Sequence, residues 1–279
     1  MRLGFFGANV GAMATPACGQ LARHAEELGY SSLWTGEHSV LPRPRRDKPP
    51  LEPDWPMADP LVTLAYIAAS TTHMQLCTGV VVLPQHNPVQ LAKRVATLDV
   101  LSGGRLVLGV GIGHVSIEFA ALGVPMQGRR ERAREYLAAM RALWAEEPPV
   151  FSGRYVSFAG VDAYPKPVSR LGPAVVLGGV GERALRDAAR LGQGWYGFGQ
   201  TPDEVRVIAA TLHRLLAEEE RDLASFRISV TPRARLTPAL ADDYRSAGVH
   251  QLVVSVEADS VDGVRRKLDR NAPGRLGID

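Results

Sequence analysis

The sequence predicts an α/β fold, and within that class a (β/α)8 barrel, from three observations. Apolar segments typical of strands alternate with helix signals eight times along the chain. Residues 75–123 contain two strands that are apolar on both faces with an amphipathic helix between them, which describes a parallel βαβ unit. The length of 279 residues is near the roughly 250 residues of such barrels. A doubly wound open sheet is the alternative, although it more often has fewer strands and a clear nucleotide fingerprint.

Helix starts carry a repeated signature, in which a capping side chain is followed at once by proline. The cap oxygen accepts a backbone N–H that would lack a partner, and proline suits the first helical position because it has no N–H. The signature occurs at Thr15-Pro16, Asp59-Pro60, Asn87-Pro88, Thr201-Pro202 and Thr237-Pro238. The predicted strands are 3–7, 31–35, 75–83, 105–110, 174–178, 194–197, 227–231 and 251–256.

Two long segments interrupt this alternation. Residues 37–59 are proline-rich and charged, and they follow the second strand, so we expect them to form a lid over the carboxyl end of the barrel. An interdomain linker is the alternative, but too little chain precedes it to make a domain. Residues 148–173 form an insertion after the fourth helix, in which FSGRYVSF predicts a small hairpin. We therefore predict one domain over residues 1–279.

Composition argues against several functional classes. The net charge is +3 and the pI is about 9.0, but acidic and basic residues are interspersed, so we expect no nucleic-acid surface. No apolar run is long enough to span a bilayer, so we expect no membrane partner. Cys18 and Cys77 lie in apolar contexts and are expected to be reduced. With the first strand so near the start, these features predict a cytoplasmic protein.

Candidate functional residues cluster where predicted strands end, which is where barrel enzymes build their active sites. They are Glu37 and His38 after strand two, Thr78, Gly79 and Val80 within strand three with His86 beyond it, Gly111, Gly113 and His114 after strand four, and Gly178, Gly179 and Gly181 after strand five. Glycines crowded at a strand end indicate a backbone that a ligand approaches closely.

The residue types leave several alternatives open. The 178–181 turn precedes a helix whose free N–H groups favour an anion such as phosphate, or it is a tight turn without a ligand. His38 suits general acid–base chemistry, although a single histidine at a strand end is more often a plain polar residue. A metal site built from Glu37, His38, His86 and His114 is conceivable, but no HxH or HExxH spacing supports it.

Several motifs together resemble the luciferase-like monooxygenase superfamily, and within it the coenzyme F420-dependent oxidoreductases. They are GYSSLWTGEH, TGVVVLPQHNPVQLAKRVATLDVLSGGRLVLGVGIG, EFAALGVP, ALW, YPKPV and LGGVGERALRDAARLGQGW. The resemblance implies a (β/α)8 barrel that holds a deazaflavin or flavin at its carboxyl face. The resemblance implies that Glu37 is an acidic residue in contact with the cofactor and that His38 takes part in proton transfer. It also implies a bulge with a non-proline cis peptide at 78–80, behind the cofactor ring, and a phosphate-binding turn at Gly178-Gly179.

His114 departs from relatives with a glutamate acid there, which argues against a sugar-phosphate substrate. The predicted catalytic residues are His38 and His114. The predicted cofactor-binding residues are Glu37, Thr78, Gly79, Val80, Gly111, Gly113, Gly178, Gly179 and Val180, with no metal ligand.

The predicted function is hydride transfer between coenzyme F420 and a small organic substrate, in a protein that the resemblance implies is a homodimer. The alternatives are an FMN-dependent monooxygenase on the same scaffold, a non-catalytic flavin-binding barrel and, more distantly, a metal-dependent sugar isomerase.

Overall fold

The computed structural model describes residues 1–45 and 52–278. Eight parallel strands are hydrogen-bonded there in the order β3-β2-β1-β11-β10-β9-β8-β5, and pairing of β3 with β5 closes the barrel. They are β1 (Arg2–Phe6), β2 (Ser32–Thr35), β3 (Gln75–Thr78), β5 (Leu106–Gly111), β8 (Ala174–Gly178), β9 (Gly194–Phe198), β10 (Arg227–Thr231) and β11 (Gln251–Ser255). The predicted (β/α)8 barrel is thus confirmed.

Helices surround the barrel and bury their apolar faces against the outside of the strands. They are α1 (Cys18–Glu27), α2 (Pro60–Ala68), α3 (Pro88–Leu101), α4 (Ser116–Ala121), α5 (Arg129–Ala145), α6 (Glu182–Leu191), α7 (Pro202–Glu218), α8 (Pro238–Ser246) and α9 (Val261–Arg270). Asp59, Asn87, Thr201 and Thr237 cap their helices as predicted. Thr15 does not, because α1 begins only at Cys18 with Ala17 at its N-cap.

The predicted span 75–83 is not one continuous strand, whereas the bulge with a non-proline cis peptide that the resemblance implies at 78–80 is confirmed. The strand breaks after Thr78, the Gly79–Val80 peptide is cis, and the chain resumes as the short strand β4 (Val81–Val82), which pairs with β5. The hairpin predicted in the insertion is present as β6 (Phe151–Ser152) and β7 (Ser157–Phe158), between α5 and β8. No described helix is both long and apolar enough to cross a bilayer.

The segment after β2, predicted as a lid, has no helix or strand in its described part, and residues 46–51 lie outside the described residues. Asn9, which is fully buried, ties the two ends of this segment together. Its amide nitrogen donates to the carbonyls of Gly36 and Ala58 at 2.8 and 2.6 Å, and its oxygen accepts from the Gly36 N–H at 3.0 Å.

Asn9→Ala should therefore lower the free energy of unfolding by roughly 2–3 kcal/mol, because it removes the partner of two buried backbone groups of Gly36 and of the partly buried Ala58 carbonyl. Asn271→Ala is the matched control, since that buried amide donates only to the Lys267 carbonyl and should cost less, roughly 1 kcal/mol. Urea titration measures both values. Equal losses in the two variants would contradict the tethering role of Asn9.

Candidate active site

The Gly79–Val80 turn lies over a pair of stacked aromatic rings inside the barrel. Trp34 from β2 and Tyr196 from β9 have ring centroids 4.5 Å apart and planes within 19°. A Cβ on Gly79 would lie 2.8 Å from Cε1 of Tyr196 and 3.0 Å from Cε3 of Trp34, so only glycine fits. Gly79 therefore presents backbone, rather than a side chain, above the barrel interior.

Neighbouring strand ends hold this turn in place. Thr78 is fully buried, and its hydroxyl donates to the Gly109 carbonyl and accepts from the Gly109 N–H, both at 2.8 Å. Among the predicted cofactor-binding residues, Thr78 thus serves to position the turn. Val80 packs between two other predicted residues, since a Cβ on Gly111 would lie 2.6 Å from its Cγ2 and one on Gly178 would lie 3.5 Å from its Cγ1.

Glu37 connects β2 to this turn through a buried carboxylate. One of its oxygens accepts from the Val82 N–H at 2.5 Å, and both lie within 3.1 Å of Nε2 of His86. Burial lowers the pKa of His86, but the hydrogen bond and the charge of Glu37, together with Asp59, outweigh it and raise that pKa above 6.5. Glu37 and His86 thus form one ion pair at the mouth of the barrel.

The raised pKa of His86 predicts a pH-dependent contribution to stability. This contribution is fully present below the unfolded value near 6.5 and is lost as pH rises through the folded value. The stability difference between the wild type and His86→Gln should therefore shrink as pH increases. NMR titration of the His86 ring should give a pKa above 6.5 that falls in Glu37→Gln. A value at or below 6.5 in the wild type would contradict the pairing.

A second carboxylate–histidine pair involves a residue that sequence reasoning missed. Glu118 of α4 is 1% exposed, its Oε1 accepts from the Ser39 N–H at 2.6 Å, and its Oε2 lies 3.3 Å from Nδ1 of His38. Burial raises the pKa of Glu118, but the bond and charge of His38 and the Ser39 N–H outweigh it and lower the pKa overall. Glu118 is therefore an ionised partner that orients His38.

His114 lies beside this pair and is exposed. Its ring centroid is 6.4 Å from that of His38, with planes at 78°. The two predicted catalytic histidines are thus brought together at the mouth. Within the described residues, no group of three or more His, Cys, Asp or Glu side chains is arranged to hold a metal ion.

The predicted phosphate turn forms one wall of a cavity of about 180 Å³. Gly178, Gly179, Val180 and Gly181 line it at the start of α6, opposite Gly111 and Ile112. Gly179 has a φ of +113°, and a Cβ there would lie 2.8 Å from that of Ala184. Gly113 also has a positive φ, +70°, and packs against Val82 and Phe119 rather than lining this cavity.

The cavity also has a charged wall that sequence reasoning missed. Arg130 and Arg134 of α5 reach it, and both bind Asp187 of α6, at 2.6 and 2.7 Å. Two guanidinium groups against one carboxylate leave a net positive charge beside the free N–H groups of a helix start. The glycines around Val80 leave the backbone open to a ligand, and the cavity next to them is positively charged. Together these two features fit a planar group that carries a phosphate.

Comparisons with known proteins show which family the chain belongs to. The chain is 37% identical over 201 residues to an uncharacterised protein of Mycobacterium bovis, covering 69% of this chain and 70% of that one. It is 33% identical over 178 residues to an F420-dependent glucose-6-phosphate dehydrogenase of Kineococcus radiotolerans, covering 62% and 50%.

Two solved structures share the fold. An F420-dependent secondary alcohol dehydrogenase in complex with an F420-acetone adduct matches with a TM-score of 0.80 and 16% identity, over 99% of this chain and 98% of that one. A riboflavin lyase with modified FMN and riboflavin matches with a TM-score of 0.69 and 20% identity, over 88% and 66%. The family model for luciferase-like monooxygenases matches residues 3–274, so this chain belongs to the luciferase-like monooxygenase family.

Proposed function

We propose that this protein is an oxidoreductase that transfers a hydride between coenzyme F420 and a small organic substrate at the mouth of the barrel. The observation that carries the proposal is the Gly79–Val80 turn, where a side chain on Gly79 would clash with Trp34 and Tyr196. The His38–Glu118 pair and the Glu37–His86 pair flank this turn. A backbone surface with a histidine held in one orientation beside it suits a planar redox cofactor. Coenzyme F420 supplies the hydride chemistry when bound.

Each part of the mouth then has a role. The Gly79–Val80 turn supports one face of the ring and leaves the other to the substrate. The start of α6, with Arg130 and Arg134, binds the phosphate. Glu118 holds His38 in one orientation through Nδ1, which leaves Nε2 to hold or deliver a proton. Glu37 fixes the backbone of β4 through the Val82 N–H.

The choice of F420 over FMN rests on two relatives whose names state that they depend on F420. They are the Kineococcus enzyme, matched over half of its length, and the alcohol dehydrogenase, matched over almost the full length of both chains. The riboflavin lyase with modified FMN is matched over 66% of its length. An FMN-dependent monooxygenase on the same scaffold is the second candidate, which the family model and that lyase favour.

Paired binding titrations with F420 and with FMN test the proposal. We expect F420 to bind at least about tenfold more tightly, a difference of roughly 1.4 kcal/mol in binding free energy. Preference for FMN, with substrate turnover that requires oxygen, would support the monooxygenase instead. Binding of either cofactor without turnover of any substrate would support the non-catalytic barrel.

A charge placed at the phosphate turn gives a matched test of where the cofactor binds. Gly181→Glu should weaken cofactor binding because it adds a carboxylate where an anion is expected, and a Cβ there meets no atom within 4 Å. Gly274→Glu is the control, since its Cβ also has open space but it lies far along the chain, in the 3-10 helix Pro273–Arg275. Equal affinities in the two variants would contradict the assignment of the turn.

A further inference from the structure

A second cavity, of about 280 Å³, lies at the opposite end of the barrel from the mouth. It is formed where α5, α6 and α7 end and where β8 and β9 begin. Three arginines line it, Arg141 of α5, Arg190 at the end of α6 and Arg221 after α7, together with Gln193. In a barrel this end ordinarily serves stability rather than catalysis, so three cations gathered there call for an explanation.

The arginines lack the carboxylates that accompany other arginines of α5 and α6. At the opposite end of these helices, Arg130 and Arg134 both face Asp187, and Arg186 pairs with Glu218. No described residue that lines the second cavity is acidic. The cavity is therefore a concentration of positive charge without a compensating anion from its own lining.

Two of the three arginines, Arg141 and Arg221, already donate hydrogen bonds to backbone carbonyls. Arg141 donates through Nη2 to the Leu191 carbonyl, and Arg221 donates through Nη1 to the carbonyls of Ala189 and Gly192. These contacts hold the two guanidinium groups at the end of α6. A guanidinium carries five N–H donors, so others remain for a ligand.

The carbonyls at the end of α6 offset part of the positive charge of this cluster, and Arg141 and Arg221 lie close enough to interact. Burial lowers the pKa of Arg141, and the charge of Arg221 acts in the same direction. Gln193 adds another donor, because its Oε1 already accepts from the Val175 N–H at 2.9 Å and leaves the amide nitrogen. The polar side chains of the lining are thus donors, and the group that would satisfy them is an oxyanion.

We propose that this cavity binds a small polyvalent oxyanion of the phosphate class, either an inorganic polyphosphate or a phosphate monoester. Three guanidinium groups suit more than one negative charge, and guanidinium forks match phosphate oxygens geometrically. The volume is at the lower end of ligand sites, which limits the ligand to a small molecule. The site is independent of the cofactor proposed above.

Calorimetric titration with inorganic pyrophosphate, and separately with glycerol phosphate, at constant ionic strength tests the proposal. We expect saturable binding of at least one probe, and the preferred probe identifies the source of the ligand. Arg190→Gln should weaken this binding at least about tenfold, because a charge-assisted contact is lost. Arg190 is the exposed arginine of the three, so its replacement leaves the carbonyl contacts of Arg141 and Arg221 in place.

Two control variants make the test specific. Arg265→Gln removes the same charge from an exposed position on α9, and Gly181→Glu alters the cavity at the mouth. Both variants should bind the preferred probe in the second cavity with the affinity of the wild type. Absence of saturable binding, or equal weakening in Arg190→Gln and Arg265→Gln, would overturn the proposal. Loss of all probe binding in Gly181→Glu would also overturn the proposal, because the anion would then bind only in the cavity at the mouth.

Discussion

Replacing His38 with glutamine should lower kcat by roughly 10²- to 10⁴-fold, the usual contribution of a positioned general acid or base. The expectation follows from the pair with Glu118, which engages Nδ1 and leaves Nε2 as the nitrogen for proton transfer. Cofactor affinity should stay within a few-fold of the wild type, because the cofactor's proposed supports are the Gly79–Val80 turn and the start of α6. The assay is turnover with F420 and the fastest substrate from a panel of small alcohols, aldehydes and unsaturated ketones.

His24 provides a matched control for this experiment. Its Nε2 lies 2.7 Å from Asp269, so it too is a partly buried histidine paired with a carboxylate, but on α1 outside the barrel. His24→Gln should leave kcat unchanged. A wild-type kcat in His38→Gln would show that His38 takes no part in the reaction. His114 would then be the remaining predicted proton donor.

Glu37→Ala should produce the largest loss of stability at the site, roughly 3–5 kcal/mol in the free energy of unfolding. Glu37 is 9% exposed, and its removal leaves the Val82 N–H and the charged His86 ring without their partner. Because Val82 lies two residues after Val80, we also expect weaker cofactor binding. Denaturant titration and cofactor titration measure the two effects separately.

Glu26→Ala is the matched control that distinguishes a loss of stability from a loss of cofactor binding. Its carboxylate also accepts backbone N–H groups, from Thr72, His73 and Met74, but on the helical layer. Glu26→Ala should lower stability without altering cofactor affinity. If Glu37→Ala binds the cofactor as tightly as Glu26→Ala does, the carboxylate does not position the turn.

Sequence reasoning was most successful for the barrel and the family, which were predicted correctly. Glu37, His38 and the glycine turns were chosen because each follows the end of a strand, and their roles stay predictions. Apolar periodicity runs through 75–83 and gives one continuous strand, so it misses the break after Thr78. The resemblance to the family, by contrast, implies a bulge with a cis peptide at 78–80, and the Gly79–Val80 peptide is cis.

The missed residues act through contacts between distant parts of the chain. Glu118 meets His38 across 80 positions, and Arg130 meets Asp187 across 57. One local signal existed for Glu118, since it lies between the buried residues Val115 and Phe119 on the apolar side of α4. A carboxylate in that stripe predicts a buried partner. Asn9 carried no such signal, because its partners are the backbone groups of the lid segment.

The most direct test of the central claim is a crystal structure of the protein with F420 bound. We expect the ring to lie against the Gly79–Val80 backbone, with His38 at the edge of its open face and the phosphate at Gly178–Gly181. A ring bound elsewhere, or a mouth that accepts FMN but not F420 under the same conditions, would contradict the account.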